Sequence, residues 1–214
     1  MYYISGSIVG FAIKIESIQK INKKEAEGYI QLFLEQVKQE DGIDPNIPNN
    51  ELSEDLLECY KMHESNLRKI FGLPHDPIEP NGSLVLPFRF IRDLFGTELE
   101  IDINIVEMPP IHDLEFKNSK LNGPYKTPFG FPPEDENIAY LTLEEIKEER
   151  QQLEGCLQKT YEEVRDFRGM NPQQIEEEKE VWTNLIFPAR ETYLDWLDYC
   201  LLKEMDLIII EYLN

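Results

Sequence analysis

The chain has 214 residues, of which 41% are hydrophobic and 11% aromatic, so it can bury one sizeable core without a metal or a disulfide. Its 42 acidic residues outnumber 21 basic ones, and the formal net charge of −21 disfavours direct binding to nucleic acid or to anionic membranes. Three widely spaced cysteines form no CxxC pair, and the segment MYYISGSIVGFAIKI lacks the features of a secretory signal. We therefore expect a cytoplasmic protein with reduced thiols and no zinc site.

The first part of the chain predicts one strand followed by helices. Residues 4–15 are typical of a β-strand, and residues 16–21 of a short helical turn. Asn22 has the pattern of a helix cap, with a glutamate three residues later, and apolar residues then recur at helical spacing. Ser53 begins a second such helix, which we expect to end before Gly72.

The middle of the chain predicts loops around one helix and one strand. Residues 41–50 and 74–82 are loops by their content of proline, glycine and asparagine. Residues 84–95 predict a short apolar helix, and residues 99–108 alternate between apolar and polar side chains, which indicates a strand with one buried face. Residues 109–137 predict a long irregular loop, and such loops are often functional in compact domains.

The segment that follows this loop predicts a short strand and a long helix. Residues 138–141 are apolar and extended in character. Thr142 and Glu145 form a T-x-x-E capping box, in which the hydroxyl binds a backbone amide of the first turn and the carboxylate reaches back. The apolar period continues to about Arg168, so we predict one helix up to that residue.

The remaining residues predict two more helices and a buried strand. Asn171 and Pro172 have the pattern of a cap and a first helical residue, and Pro188 breaks the helix that follows. The segment DLIIIEYL is a continuous apolar run, which indicates a strand inside a sheet. We therefore predict a single α+β domain over residues 1–214, with a small sheet that includes the N-terminal and C-terminal strands and is covered by several helices.

Two segments of the C-terminal third resemble a known group. IAYLTLEEIKEE and, later, YLDWLDYCLLKEMDLIIIEYLN are similar to the YfbM-like uncharacterised bacterial domains, in which a segment of the form YLTPEEV precedes helices and a terminal hydrophobic strand. The resemblance implies an α+β fold and a cytosolic bacterial protein, and it supplies no catalytic residues. Some small acidic domains of this broad sort are linked with toxin–immunity loci, so it also favours an inhibitor of the immunity type.

Familiar catalytic and cofactor-binding motifs are absent from the sequence. There is no P-loop, no G-x-G-x-x-G, no G-x-S-x-G and no H-E-x-x-H, so we expect no bound cofactor or metal. His63, His75 and His112 lie at unrelated spacings, and Glu100 and Asp102 occupy the polar side of the predicted strand. A three-histidine site assembled across loops stays open as an alternative, since His75 and His112 both lie in proline-rich loops.

The long loop carries a group of aromatic residues followed by acids. The aromatic residues are Phe116, Tyr125, Phe129 and Phe131, and the acids are Glu134, Asp135 and Glu136. In one interpretation the rings fold back and anchor the loop to the core. In the other they form an apolar patch, ringed by carboxylates, that binds a partner. We take these seven residues as the candidate partner-binding site.

The composition and motifs together favour a binding protein over an enzyme. The first hypothesis is a non-enzymatic acidic protein that neutralises or regulates a basic protein partner, such as a toxin, through electrostatic steering and occlusion. The second is an enzyme with an unfamiliar carboxylate or histidine site, which requires a pocket with converging polar groups. The third is an acidic DNA mimic, whose carboxylates would follow the spacing of phosphates.

Overall fold

The structure, a computed structural model, describes residues 6–48, 51–76, 84–99, 128–131, 137–154, 168–181, 183–184 and 187–213. Within these residues the elements in chain order are β1 (Gly6–Ile13), α1 (Ile15–Gln19), α2 (Lys23–Glu40), α3 (Glu54–Ile70), α4 (Val85–Phe95), β2 (Gly96–Leu99), β3 (Asn137–Leu141), α5 (Leu143–Gln152), α6 (Pro172–Val181), α7 (Phe187–Lys203) and β4 (Asp206–Leu213). The strands form one antiparallel sheet in the order β2-β1-β4-β3. The fold is therefore α+β, as predicted.

The two central strands come from near the two ends of the chain. β1 pairs with β4 along its whole length, from Gly6 opposite Leu213 to Ile13 opposite Asp206. β3 covers the other edge of β4, so β4 lies inside the sheet. Four successive side chains of β4, residues 207–210, are buried. This confirms the prediction that the isoleucine-rich segment is a strand with both faces covered.

Helices pack on both faces of the sheet because successive side chains of each strand point to opposite sides. Phe11, Ile208 and Ile138 belong to one core cluster, which α1 to α4 complete. Leu207 and Ile209 belong to a second cluster, which is completed by α5 and α7. The close packing of α7 depends on a glycine, since a Cβ added at Gly10 would lie 2.7 Å from the ring of Trp196. The sheet is thus the middle layer of three.

The predicted helix caps are present in the structure. The Asn22 side chain accepts hydrogen bonds from the amides of Lys24 and Glu25, and the Glu25 carboxylate accepts one from the Asn22 amide. Ser53 Oγ accepts from Leu56 N at 3.4 Å, and Thr142 forms its capping box with a glutamate of α5. These contacts satisfy amides that the first turn of a helix leaves without a partner.

Two predicted elements have different bounds in the structure. α5 ends at Gln152, and the side chain of the next residue, Leu153, is buried in the core. The prediction of one helix up to about Arg168 was therefore wrong. In the sequence the apolar spacing continues past this end, so the pattern did not indicate where the helix stops. β2 begins at Gly96, three residues before the predicted strand, and residues 100–108 lie outside the described residues.

Asp206, the first residue of β4, ties two helices to the sheet. Its Oδ2 accepts a hydrogen bond from Ile15 N at 3.3 Å, and its Oδ1 accepts one from Leu143 N at 3.1 Å. These amides belong to the first residues of α1 and α5, where unsatisfied N–H groups and the helix dipole favour a negative charge. One carboxylate therefore fixes the starts of two helices that lie on opposite faces of the sheet.

Candidate functional site

The described part of the predicted loop contains two of its aromatic side chains. Phe131 is only 2% exposed, and Phe129 is half-buried. The centroids of both rings lie 6.3 Å from that of Phe88, a core residue of α4, and Lys69 Nζ lies 5.2 Å from the centroid of Phe131. These two rings therefore anchor the loop end to the core, which agrees with the first of the two interpretations.

The candidate partner site has five further members. Phe116, Tyr125, Glu134, Asp135 and Glu136 lie outside the described residues. The partner-binding patch stays a prediction for them. What the structure adds is that Phe131 offers almost no surface to a partner as the chain is folded here.

Many described acids outside α6 have a role in the fold. Glu25 and Glu145 complete capping boxes, and Asp206 binds the starts of α1 and α5. Others pair with arginines, either within one helix, as Glu64 and Asp93 do, or across neighbouring elements, as Glu27, Glu98 and Asp198 do. For Glu27, the hydrogen bond from Arg68 holds the pKa of the carboxyl below its usual range. The negative charge of these acids thus has a structural explanation.

The acids of α6 are different, because this helix buries none of its side chains. Its sequence PQQIEEEKEV contains four glutamates and one lysine. Asn171 caps its first turn, accepting from the amides of Gln173 and Gln174 at 3.0 Å. Even its two apolar side chains, Ile175 and Val181, are only half-buried. α6 is therefore a largely exposed acidic helix, and we call its exposed acids Glu176, Glu177 and Glu180 the α6 acidic face.

A second candidate is a polar cluster on the buried face of α3. Tyr60, His63 and Asn66 follow one another at intervals of three residues, and all three are buried. The Tyr60 hydroxyl donates a hydrogen bond of 2.6 Å to the carboxylate of Asp41, at the end of α2. Burial, and then this contact with Asp41, raises the pKa of Tyr60. The hydroxyl of Tyr60, the first member of the cluster, thus has its hydrogen-bond partner within the protein.

The other two members lack hydrogen-bond partners among the described residues. His63 is 3% exposed and Asn66 is 0% exposed, yet His63 Nδ1 and both side-chain atoms of Asn66, Oδ1 and Nδ2, are unpaired. Burial lowers the pKa of His63, against a smaller opposing effect of Asp41, so its imidazole is neutral at neutral pH. The Phe33 ring meets it edge to face at 5.9 Å. We call His63 and Asn66 the α3 polar pair.

This pair was missed by the sequence analysis, although a signal was present. The predicted stripe of α3 counted only apolar residues such as Leu67 and Ile70. His63 and Asn66 stand at the same helical spacing, so the period itself placed them on the buried side. Polar side chains on a buried face without partners are rare in native proteins, and they call for an explanation.

The histidine and metal hypotheses find no support in the described part of the chain. His75 is exposed, with Nδ1 3.0 Å from the carbonyl oxygen of Leu73, and His112 lies outside the described residues. No three described histidines, cysteines or acids come together in a group suited to a metal ion. The described helices include none with the length and apolarity needed to cross a bilayer. A site that combines His75 and His112 stays a prediction.

No family model, no curated protein and no solved structure matches this chain. The resemblance to the YfbM-like group accordingly stays a prediction.

Proposed function

We propose that the protein binds a basic protein partner and occludes or regulates it, with the α6 acidic face as one contact surface. The observation that carries this proposal is that α6 presents three exposed glutamates on a helix that buries no side chain. Many acids elsewhere serve caps and ion pairs, whereas these three contribute nothing to a buried core. A surface of this kind attracts a positively charged partner.

The electrostatics of α6 support this proposal, because two placements of its exposed acids are unfavourable for the helix. Glu176 and Glu180 are one turn apart, and like charges at this spacing destabilise a helix by about 0.2–0.5 kcal/mol. Glu180 also lies in the last turn, where the helix dipole is negative and an added acid costs about 0.3–1 kcal/mol. A basic partner would relieve both repulsions, so the unfavourable charge favours association.

The mechanism is steering followed by steric occlusion. The net charge of −21 raises the rate of encounter with a cationic protein, and the effect weakens as salt screens the charges. A toxin with a cationic substrate-binding surface is the class of partner that fits, as in an immunity protein. We place this activity in the cytoplasm, in keeping with the free thiols of Cys59 and Cys200.

The experiment is an affinity capture with charge variants, followed by quantitative binding to the isolated partner. The test variant replaces Glu176, Glu177 and Glu180 with glutamine. A control variant with the same change of charge replaces three exposed acids on other elements, Glu40, Glu51 and Glu58, with glutamine. Proteins retained by the wild-type chain from an extract of the source cells are eluted with increasing NaCl and identified.

The proposal predicts a basic partner whose affinity falls as NaCl is raised. The α6 variant should bind it roughly tenfold more weakly, which corresponds to about 1.4 kcal/mol, while the control variant changes affinity by much less. A partner with no net positive charge, or equal affinities of the two variants, would refute the role of the α6 acidic face. Affinity that does not change with salt would refute the electrostatic mechanism.

A further inference from the structure

We propose that the α3 polar pair is the recognition edge of an enclosed site for a small, uncharged molecule with an amide group. This inference rests on the buried face of α3 and is independent of the α6 acidic face. Its starting point is that three polar atoms, His63 Nδ1, Asn66 Oδ1 and Asn66 Nδ2, are buried without a partner in the described part of the chain.

Keeping these atoms buried costs stability, so their presence needs a reason. An amide taken out of water without replacement hydrogen bonds is destabilising, and an apolar residue of similar size at position 66 would avoid this loss. The neighbouring polar residues do have partners: Tyr60 donates to Asp41, and Ser65 donates to the carbonyl oxygen of Asp76 at 3.0 Å. The missing partners are thus confined to His63 and Asn66, as expected if an external molecule supplies them.

The two side chains are placed to act together. Residues three apart on a helix project from the same side, with their Cβ atoms about 5–6 Å apart. The ring of Phe33 stands against His63, and its centroid lies 5.2 Å from that of Phe90 on α4. His63 of the polar pair therefore lies beside an aromatic wall formed by Phe33 of α2 and Phe90 of α4. This combination of few polar groups and aromatic surroundings is common in small-molecule sites.

The chemistry of the pair selects the class of ligand. The Asn66 side chain offers a donor and an acceptor side by side, and the complementary edge is another amide or an amide-like edge of a heteroaromatic ring. His63 is held neutral by its burial, so it contributes one further hydrogen bond and no positive charge. Asp41, the acid that acts on His63, is bound by Tyr60. A charged ligand would lose its hydration without gaining a counter-charge.

Ordered water is the competing occupant. A buried water molecule typically forms about three hydrogen bonds, and the three unpaired atoms could bind one. An amide ligand would displace bound water from Asn66 and would contact the ring of Phe33, whereas water alone gives neither result. The experiment is designed to separate the two.

The test is an NMR titration of the full chain, isotopically labelled, with benzamide as the probe and benzoate as its charged counterpart. We expect the side-chain amide signals of Asn66 and the ring signals of His63 to shift saturably with benzamide. We also expect contacts between the benzamide ring and Phe33, and binding of benzoate that is at least roughly tenfold weaker. These measurements use the wild-type chain, so they stand even where a variant fails to fold.

Two variants add a matched comparison. Asn66→Leu should weaken benzamide binding roughly tenfold or more, because both hydrogen bonds of the amide edge are lost. Ser65→Ala removes a buried hydroxyl from the same helix, but one already satisfied by Asp76, and it should leave the affinity unchanged. Each of three results would overturn the proposal. The first is the absence of a saturable shift, the second is equal binding of benzamide and benzoate, and the third is a water signal at Asn66 that benzamide does not displace.

Discussion

Replacing Asp206 with alanine tests whether one carboxylate holds two helices on the sheet. In the folded chain this side chain accepts hydrogen bonds from Ile15 N at 3.3 Å and from Leu143 N at 3.1 Å. A hydrogen bond to a charged group contributes about 1.5–3 kcal/mol, and a typical cap about 1 kcal/mol. Both distances are on the long side of the usual range, so we take the stabilisation of a typical helix cap, about 1 kcal/mol, for each hydrogen bond. Asp206→Ala should therefore lower the free energy of unfolding by about 2 kcal/mol.

Urea unfolding followed by circular dichroism measures this loss, and hydrogen exchange locates it. Asp206→Asn keeps an acceptor oxygen for one amide and should lose about half as much. Asp195→Ala, which removes an exposed acid of α7, is the control and should change stability by less than about 0.5 kcal/mol. Exchange should accelerate at the amides of both Ile15 and Leu143. A loss no larger than that of the control, or faster exchange at only one of the two amides, would show that the double cap is wrong.

Three further predictions follow from particular backbone and side-chain positions. A Cβ at position 96 would lie 2.1 Å from the Ala12 carbonyl oxygen, so Gly96→Ala should destabilise the chain by about 1–3 kcal/mol or more, measured by urea unfolding. Glu204 has φ +52 just after α7, so Glu204→Gly should raise the melting temperature, with a gain of about 1 kcal/mol. Because burial lowers the pKa of His63 below 6.5, the unfolded state takes up its proton first. Stability should thus fall as the pH drops below about 6.5, and His63→Phe should reduce that slope in urea unfolding at several pH values.

The sequence predicted those features of the fold that depend on local chemistry. The caps at Asn22, Ser53 and Thr142 were recognised because a capping side chain acts within three residues of its own position. β4 was recognised because a continuous run of isoleucines needs cover on both faces. The end of α5 was missed because its apolar spacing continues where the helix does not.

The candidate sites were harder to predict because they depend on burial. Phe131 stands in a segment rich in proline and glycine, and only the fold shows that its ring packs against Phe88. His63 and Asn66 occupy inward positions of α3, but a pattern that counts only apolar residues passes over them. Glu27 and Glu180 look alike in the sequence, and only the structure separates an ion-paired carboxylate from an exposed charge.

The pairing of β1 with β4 has a consequence for how the protein is made. A ribosome releases β1 early, but the strand that fills the middle of the sheet emerges only after α7 has been synthesised. Such non-local pairing has a high contact order and slows folding. Until β4 has been synthesised, the nascent chain contains an incomplete sheet with unpaired strand edges. Such a state is prone to aggregation and is a substrate for chaperones.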